Sequence, residues 1–328
     1  MSGVSIPYHL RQNKAVDRAL LVGLLKRVGY FNNISEYRYI GFGGPFLEDF
    51  KVIHHELKIK DMISIENNKN VMNRQKFNKP LSCIRILDDI KSSSEFLLEH
   101  SFDKKTILWL DYVSFRELPQ QIQDIRMSLN KMGNGDILKI TLNGNSSNLG
   151  LPRNPDDDLN EYRLSKYTDM VTQEFLPADL TTDDVTHKNF PRTLLKTLKV
   201  VANSVMQNRP RERIHLLTSF IYEDGQKMLT VTMIILDDST QDRFFTDSRL
   251  RSWPFFNEDW GHVQDITMPA ISVRERLAIE SLLPDADYES IYEKLGFYLG
   301  KDEEEGRSVM NSFIKHYREF PWFGKLSL

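Results

Sequence analysis

The sequence predicts an α/β fold: a Rossmann-like, doubly wound and mostly parallel sheet ending in an antiparallel hairpin, with an insertion and a helical C-terminal extension. Three observations predict it. Short apolar runs alternate with helix-period segments as far as Leu142. The first run breaks into a glycine-rich turn, and the next three each close on an acid. Late in the chain, two β-type runs flank Glu223-Asp224-Gly225-Gln226-Lys227, a hairpin connection with an Asp-Gly turn.

The elements follow in order. Lys14 to Val28 carries apolar residues at helical spacing, and Tyr37 to Ile40 is a short strand that ends in Gly41-Phe42-Gly43-Gly44-Pro45. A second helix fits Phe46 to Leu57, with Phe46, Phe50, Ile53 and Leu57 on one face. Strands are predicted at Met62 to Glu66 and at Cys83 to Leu87, the latter running into Asp88-Asp89, before a helix from Ser94 to His100. Thr106 to Leu110 is almost wholly apolar, as a strand buried on both faces must be, and it meets Asp111. A helix over Gln120 to Met132 leads through a Gly-Asn-Gly-Asp turn into a fifth strand, Ile137 to Leu142. The polar segment 143–190 is too long for an ordinary connection and reads as an insertion or lid. Helical signal resumes over Thr193 to Val205 and leads into the hairpin strands, Ile214 to Tyr222 and Met228 to Leu236. The remainder opens with an aromatic loop (Phe244, Phe245, Trp253, Phe255, Phe256, Trp260) and continues in helices at Val273 to Leu283, Tyr288 to Leu295 and Glu303 to Tyr317, with Ser272 and Glu275 spaced as a capping box.

The composition of the 328 residues (40% hydrophobic, 27% charged) is that of an ordinary globular chain. No apolar run reaches the roughly 20 residues that span a bilayer, and residues 1–18 are too polar for a signal peptide, so the expected location is cytoplasmic and no membrane is expected. A single cysteine, Cys83, excludes a disulfide framework and any zinc site with two thiolates. A formal charge of −3 argues against a broad electrostatic grip on nucleic acid and leaves a local basic patch open; the most basic short run, Gln207 to Arg213, reads as a solvated helix end.

Gly41, Gly43 and Gly44 let the backbone turn tightly beneath a ligand, and the following helix N-terminus presents free N–H groups to an anion. The nicotinamide fingerprint fails, because Phe46 occupies the third glycine position. Glu66, about 25 residues beyond Gly41 and at the end of the second strand, is placed to accept hydrogen bonds from ribose hydroxyls, with a solvated strand end as the alternative. Asp88 or Asp89 either meets an adenine amino group or is simply a loop acid. Asp111 and Tyr112 stand at the switch point of the sheet, where a carboxylate acts as general base, binds a metal or orients an acceptor, unless it only caps a loop.

Gly41-Phe42-Gly43-Gly44, Glu66, Asp88-Asp89 and Leu110-Asp111-Tyr112, with the terminal hairpin, resemble class I S-adenosylmethionine-dependent methyltransferases. More narrowly, Leu10-Arg11-Gln12-Asn13-Lys14, Tyr39 to Gly44, Ile63 to Glu66 and Pro269 to Arg276 resemble a prokaryotic family described as putative O-methyltransferases, over most of the chain. The resemblance implies S-adenosylmethionine as cofactor, with Phe42 and the three glycines in its loop. It implies that Arg11 or Lys14 meets the cofactor carboxylate, a plain surface helix being the alternative. It implies one methyltransferase-like domain over residues 1–236, followed by the extension 237–328. Two positions depart from the class I pattern: Tyr39 stands where an acid is usual, and Pro45 where the last glycine is. The Asn/Asp-Pro-Pro-aromatic motif of amino-methylating nucleic-acid enzymes is missing from Asp111-Tyr112-Val113-Ser114.

The expected activity is methyl transfer to an unidentified acceptor, in a pocket closed by residues 143–190 and the aromatic tail. There Trp253, Phe255, Phe256 and Trp260 either stack on a planar acceptor or form core, and His262 is a base or a structural histidine. The alternatives are a catalytically silent cofactor-binding or partner-binding protein, and a nucleic-acid methyltransferase.

Overall fold

The structure is a computed structural model that describes residues 11–322; Leu10, first of the Leu-Arg-Gln-Asn-Lys run, lies outside the described residues. In chain order the elements are α1 (Gln12–Val28), β1 (Arg38–Gly41), α2 (Glu48–Leu57), β2 (Asp61–Ser64), α3 (Lys69–Asn78), β3 (Ile84–Ile86), α4 (Ser93–Glu99) and β4 (Thr106–Asp111). Then come α5 (Leu118–Lys131), β5 (Ile137–Asn143), α6 (Leu159–Met170), α7 (Phe190–Met206), β6 (Glu212–Glu223) and β7 (Lys227–Asp237). The chain continues with α8 (Gln241–Ser248), β8 (Gln264–Ile266), α9 (Val273–Glu280), α10 (Tyr288–Leu295) and α11 (Glu303–His316). No helix among the described residues is long and apolar enough to cross a membrane.

The eight strands form one sheet in the order β3-β2-β1-β4-β5-β7-β6-β8, and only β7 runs against its neighbours. This is the doubly wound sheet with a closing hairpin that the alternation predicts. Strand periodicity sets up two cores. Ile107 and Trp109 of β4 join the core beneath α1, α2 and the C-terminal helices, while Leu108 and Leu110 join the opposite core, beneath α5 and α7.

The same alternation turns Lys139, Thr141 and Asp111 toward α1, and α1 answers with charge. Lys139 and Asp17, 1% and 0% exposed, pair at 2.8 Å; Lys14 pairs with Asp111 at 2.5 Å, and Arg18 pairs with Asp49 of α2. Thr230 donates to Asp17 as well, and Lys139 lies over the Trp109 ring, 5.0 Å from its centroid. The N-terminus of α1 has no side-chain cap of its own. Asp224, in the hairpin turn, supplies one instead: its carboxylate accepts from the backbone N–H groups of Asn13 and Lys14. Asn13 fastens the same end by donating to Glu223 O and accepting from Met268 N–H.

Several elements depart from expectation. The second helix starts at Glu48 rather than Phe46, because Leu47 before it is left-handed (φ 55°). Helix α3 has too few apolar residues to show a period, and it is held at the loops by side-chain amides: Gln75 donates to Gly44 O and Asn78 to Pro45 O. The segment 143–190 holds α6 and packs beneath α7 through Tyr167 and Phe175, both fully buried. The tail adds β8 to the sheet edge beside β6, a strand too short for its alternation to register. The aromatic run is largely core: Trp253 and Phe255 are buried against α1, Phe255 stacks on His316, and Phe256 meets Phe245.

Lys139→Met removes the countercharge of a fully buried carboxylate. Urea unfolding should show a loss of about 3–5 kcal/mol, and the double variant Asp17→Leu/Lys139→Met should recover much of it.

Candidate functional site

The switch point lies where β1 and β4 adjoin, in register Gly41↔Trp109, with helices leaving on both sides. There the carboxyl ends of β1, β2 and β4 meet the N-terminal ends of α4 and α5 around a cavity of about 720 Å³. That volume is in the range of small-molecule and cofactor sites.

Of the sequence-derived candidates, Phe42, Gly44, Glu66, Asp111 and Tyr112 line this cavity together. Arg11, Lys14, Gly41, Gly43, Asp88 and Asp89 are not among its lining residues, and Asp88 and Asp89 point into solvent. Gly43 nevertheless answers a steric demand. A Cβ there would stand 2.2 Å from Leu47 Cδ2 and 2.8 Å from Ser64 Oγ, so its glycine identity belongs to packing below the loop. Gly44 takes the left-handed φ of 51° that lets the chain turn past the cavity into Pro45.

Glu66 is half-buried, and one of its oxygens accepts from the Asn68 N–H at 2.9 Å. Burial pushes its carboxyl above the usual glutamate range, and the backbone N–H groups of Asn68 and Asn67 offset this in part. Across the cavity, Asp111 Oδ2 holds the Lys14 ammonium, while Asp111 Oδ1 is buried with no hydrogen-bond partner among the described residues. Asp17 Oδ2 and Arg18 Nη2, on the same charged edge of α1, are buried without partners in the same way.

The Tyr112 hydroxyl donates to Asp124 at 2.8 Å, and its ring meets Phe42 edge-on, with centroids 5.5 Å apart. Burial and the adjoining Asp124 carboxylate hold this phenol well above its ordinary pKa, so it stays protonated at neutral pH. Asp124 also accepts from Ser93, Ser94 and Gln120, which builds a polar wall on the α4–α5 side. Sequence reading overlooked that wall. Its legible signal was Ser92-Ser93-Ser94-Glu95, a capping box that the structure forms in full and that marks a helix N-terminus beside the third strand.

All the lining residues fall between Phe42 and Asp124, so neither the segment 143–190 nor the aromatic tail contributes to the described cavity wall. His262 is exposed and away from the cavity, and its carbonyl accepts from Ser219 and Asn257. No group of His, Cys, Asp and Glu among the described residues is arranged to hold a metal ion.

A family described as putative O-methyltransferase matches residues 6–328 of this sequence. The chain belongs to that family. A comparison with curated proteins finds no match. Among solved structures, this putative O-methyltransferase family member is similar to Trm1 from Pyrococcus horikoshii in complex with S-adenosyl-L-methionine (13% identity, TM-score 0.46). That match covers 74% of this chain and 60% of the Pyrococcus chain, so the protein spans under two thirds of that relative's length. It is also similar to the plantazolicin methyltransferase BamL in complex with SAH (11% identity, TM-score 0.44, 70% of this chain and 88% of that one). The N-methyltransferase NodS from Bradyrhizobium japonicum matches at 8% identity and TM-score 0.39, over 68% of this chain and 97% of that one.

Gly43→Ala should lower stability by about 1–3 kcal/mol in urea unfolding, the cost of forcing a methyl group into a filled site.

Proposed function

We propose that the cavity binds S-adenosylmethionine and that the protein transfers its methyl group to an acceptor entering on the Tyr112 side of the cavity. One observation carries the reading: Glu66 and Asp111, two acids at the strand ends on either side of β1, line a single cavity of about 720 Å³ together with a glycine turn. Family membership is consistent with the chemistry.

Glu66, at the end of β2, accepts hydrogen bonds from the ribose hydroxyls. Asp111 is matched by the Lys14 charge and keeps one oxygen for a donor on the ligand, either the ammonium of the methionine part or the acceptor. Lys14 is in reach of a carboxylate entering beside Asp111; Arg11 stands just before α1, at the same end. Asp88 and Asp89 lie outside the lining, and the adenine end falls instead to Ser93, Ser94 and Gln120. Tyr112 is a fixed hydrogen-bonded phenol that shapes the acceptor side and is not a base. The cofactor, when bound, supplies an electrophilic sulfonium methyl group. The chain's own task is to align the acceptor and shield it from water, which explains why no catalytic triad is needed.

Calorimetric titration with S-adenosylmethionine and S-adenosylhomocysteine, with NAD and ATP as controls, tests this reading. Binding of the sulfur ligands alone is expected; failure of both in ligand-free protein would overturn it. Glu66→Ala should weaken binding ten- to a hundredfold, the loss of a charge-assisted hydrogen bond of about 1.5–3 kcal/mol.

The pH dependence has a definite sign. Ribose hydroxyls bind the ionised carboxylate, so affinity is full at neutral pH. It should fall as the pH drops through the raised Glu66 pKa, above the usual 4.5, and Glu66→Gln should remove that step.

A further inference from the structure

We propose that α3, which starts at the cavity rim, is the docking surface for a single-stranded nucleic acid, the polymer that carries the methyl acceptor. This rests on reading the cavity as a methyl-transfer site.

The segment from Asn67 to Leu87 holds five cations (Lys69, Arg74, Lys76, Lys79, Arg85) and no carboxylate, in a chain whose formal charge is −3. None of the five forms an ion pair among the described residues, whereas Lys26 pairs with Glu56, Lys51 with Glu48, and Arg38 with Asp61 and Asp103. Lys69 and Lys76 are exposed along a helix of ten residues and Lys79 just past its end, a cationic edge about 15 Å long. Its first turn belongs to the cavity, since Asn67, Asn68 and Val71 line it, so the charge leads outward from the site.

Two aromatic surfaces lie within this cationic stretch. Phe77 is 91% exposed, the most exposed of the large apolar side chains among the described residues. Phe46 lies beneath the Arg74 guanidinium, 5.2 Å from centroid to cation. Cations that follow a phosphate backbone, interleaved with aromatic and guanidinium planes on which bases stack, are the elements of sequence-tolerant single-strand binding. An acidic polypeptide would meet the charge, but only a nucleic acid presents a planar base beside every charged repeat unit, for Phe77 to meet. The net negative charge of the whole chain repels a polyanion elsewhere and confines contact to this face.

The test is fluorescence anisotropy of a labelled oligouridylate across a salt series, with poly-glutamate of similar length as competitor. S-adenosylmethionine titration of every sample is run in parallel. The wild-type protein should bind the oligonucleotide and resist displacement by poly-glutamate. Lys69→Glu/Lys76→Glu/Lys79→Glu should weaken binding at least about tenfold and flatten the log–log salt slope by about 0.7 per cation removed. Phe77→Ala should weaken binding while keeping that slope. Single Lys→Gln changes at the same positions give a graded series should the triple variant fail to fold. Absence of oligonucleotide binding by the wild type, equal displacement by poly-glutamate, or undiminished binding by the charge variants would overturn the proposal. Loss of S-adenosylmethionine binding in the wild type would instead fail the methyl-transfer reading, and the anisotropy arm would still be read independently.

Discussion

Three buried ion pairs fasten α1 to the rest of the molecule: Lys14 to Asp111, Asp17 to Lys139, and Arg18 to Asp49. Each takes charge out of water, a cost that mutual attraction repays only when partners are close and well hydrogen-bonded. Here the cost is accepted along one helix edge, at i, i+3 and i+4, so a single surface meets β4, β5 and α2 at once. The outer side of α1 is covered in turn by the tail, through Phe244, Trp253, Phe255 and Met268. Helix, sheet and C-terminal extension therefore share one core, and a change in the charged edge reaches both the ligand cavity and the tail.

The same edge reframes the departure at Tyr39. That side chain is fully buried beside Gly41, and the carboxylates near it are Asp49 and Asp111, which together with burial hold its phenol protonated. The acid missing from β1 is thus present in space on the adjoining strand β4. A carboxylate there comes with its countercharge, Lys14, from a helix that precedes the sheet in sequence. The site draws on β1, β2 and β4 directly and on α1 from behind.

Much of this was legible in the residues. The alternation of strand and helix follows from periodicity, the hairpin from its Asp-Gly turn, and Gly44, Glu66 and Asp111 from a glycine turn and acids at strand ends. Phe42 comes only from the family resemblance. What stayed hidden shares a physical cause. Helix α3 is held by amide side chains reaching loop carbonyls, and β8 by three residues against a sheet edge; neither needs an apolar period. Asp124 sits mid-helix and gathers Tyr112, Ser93 and Ser94 from two other elements. Only the folded chain brings them together. Asp88 and Asp89 looked like a strand-end acid pair, but β3 stops at Ile86 and releases them to solvent.

The cap that Asp224 provides for α1 joins residues 210 apart in sequence. A ribosome makes these parts in the opposite order to their need: α1 emerges before the whole sheet, and its capping carboxylate only after six of the strands, β1 to β6. Until the hairpin closes, the N-terminus of α1 lacks its cap and Asp17 lacks the Thr230 hydroxyl. The hairpin adds no residue to the cavity wall, yet it fastens the helix whose Lys14 stands behind Asp111, so a chain truncated before it would keep the lining residues and lose that support.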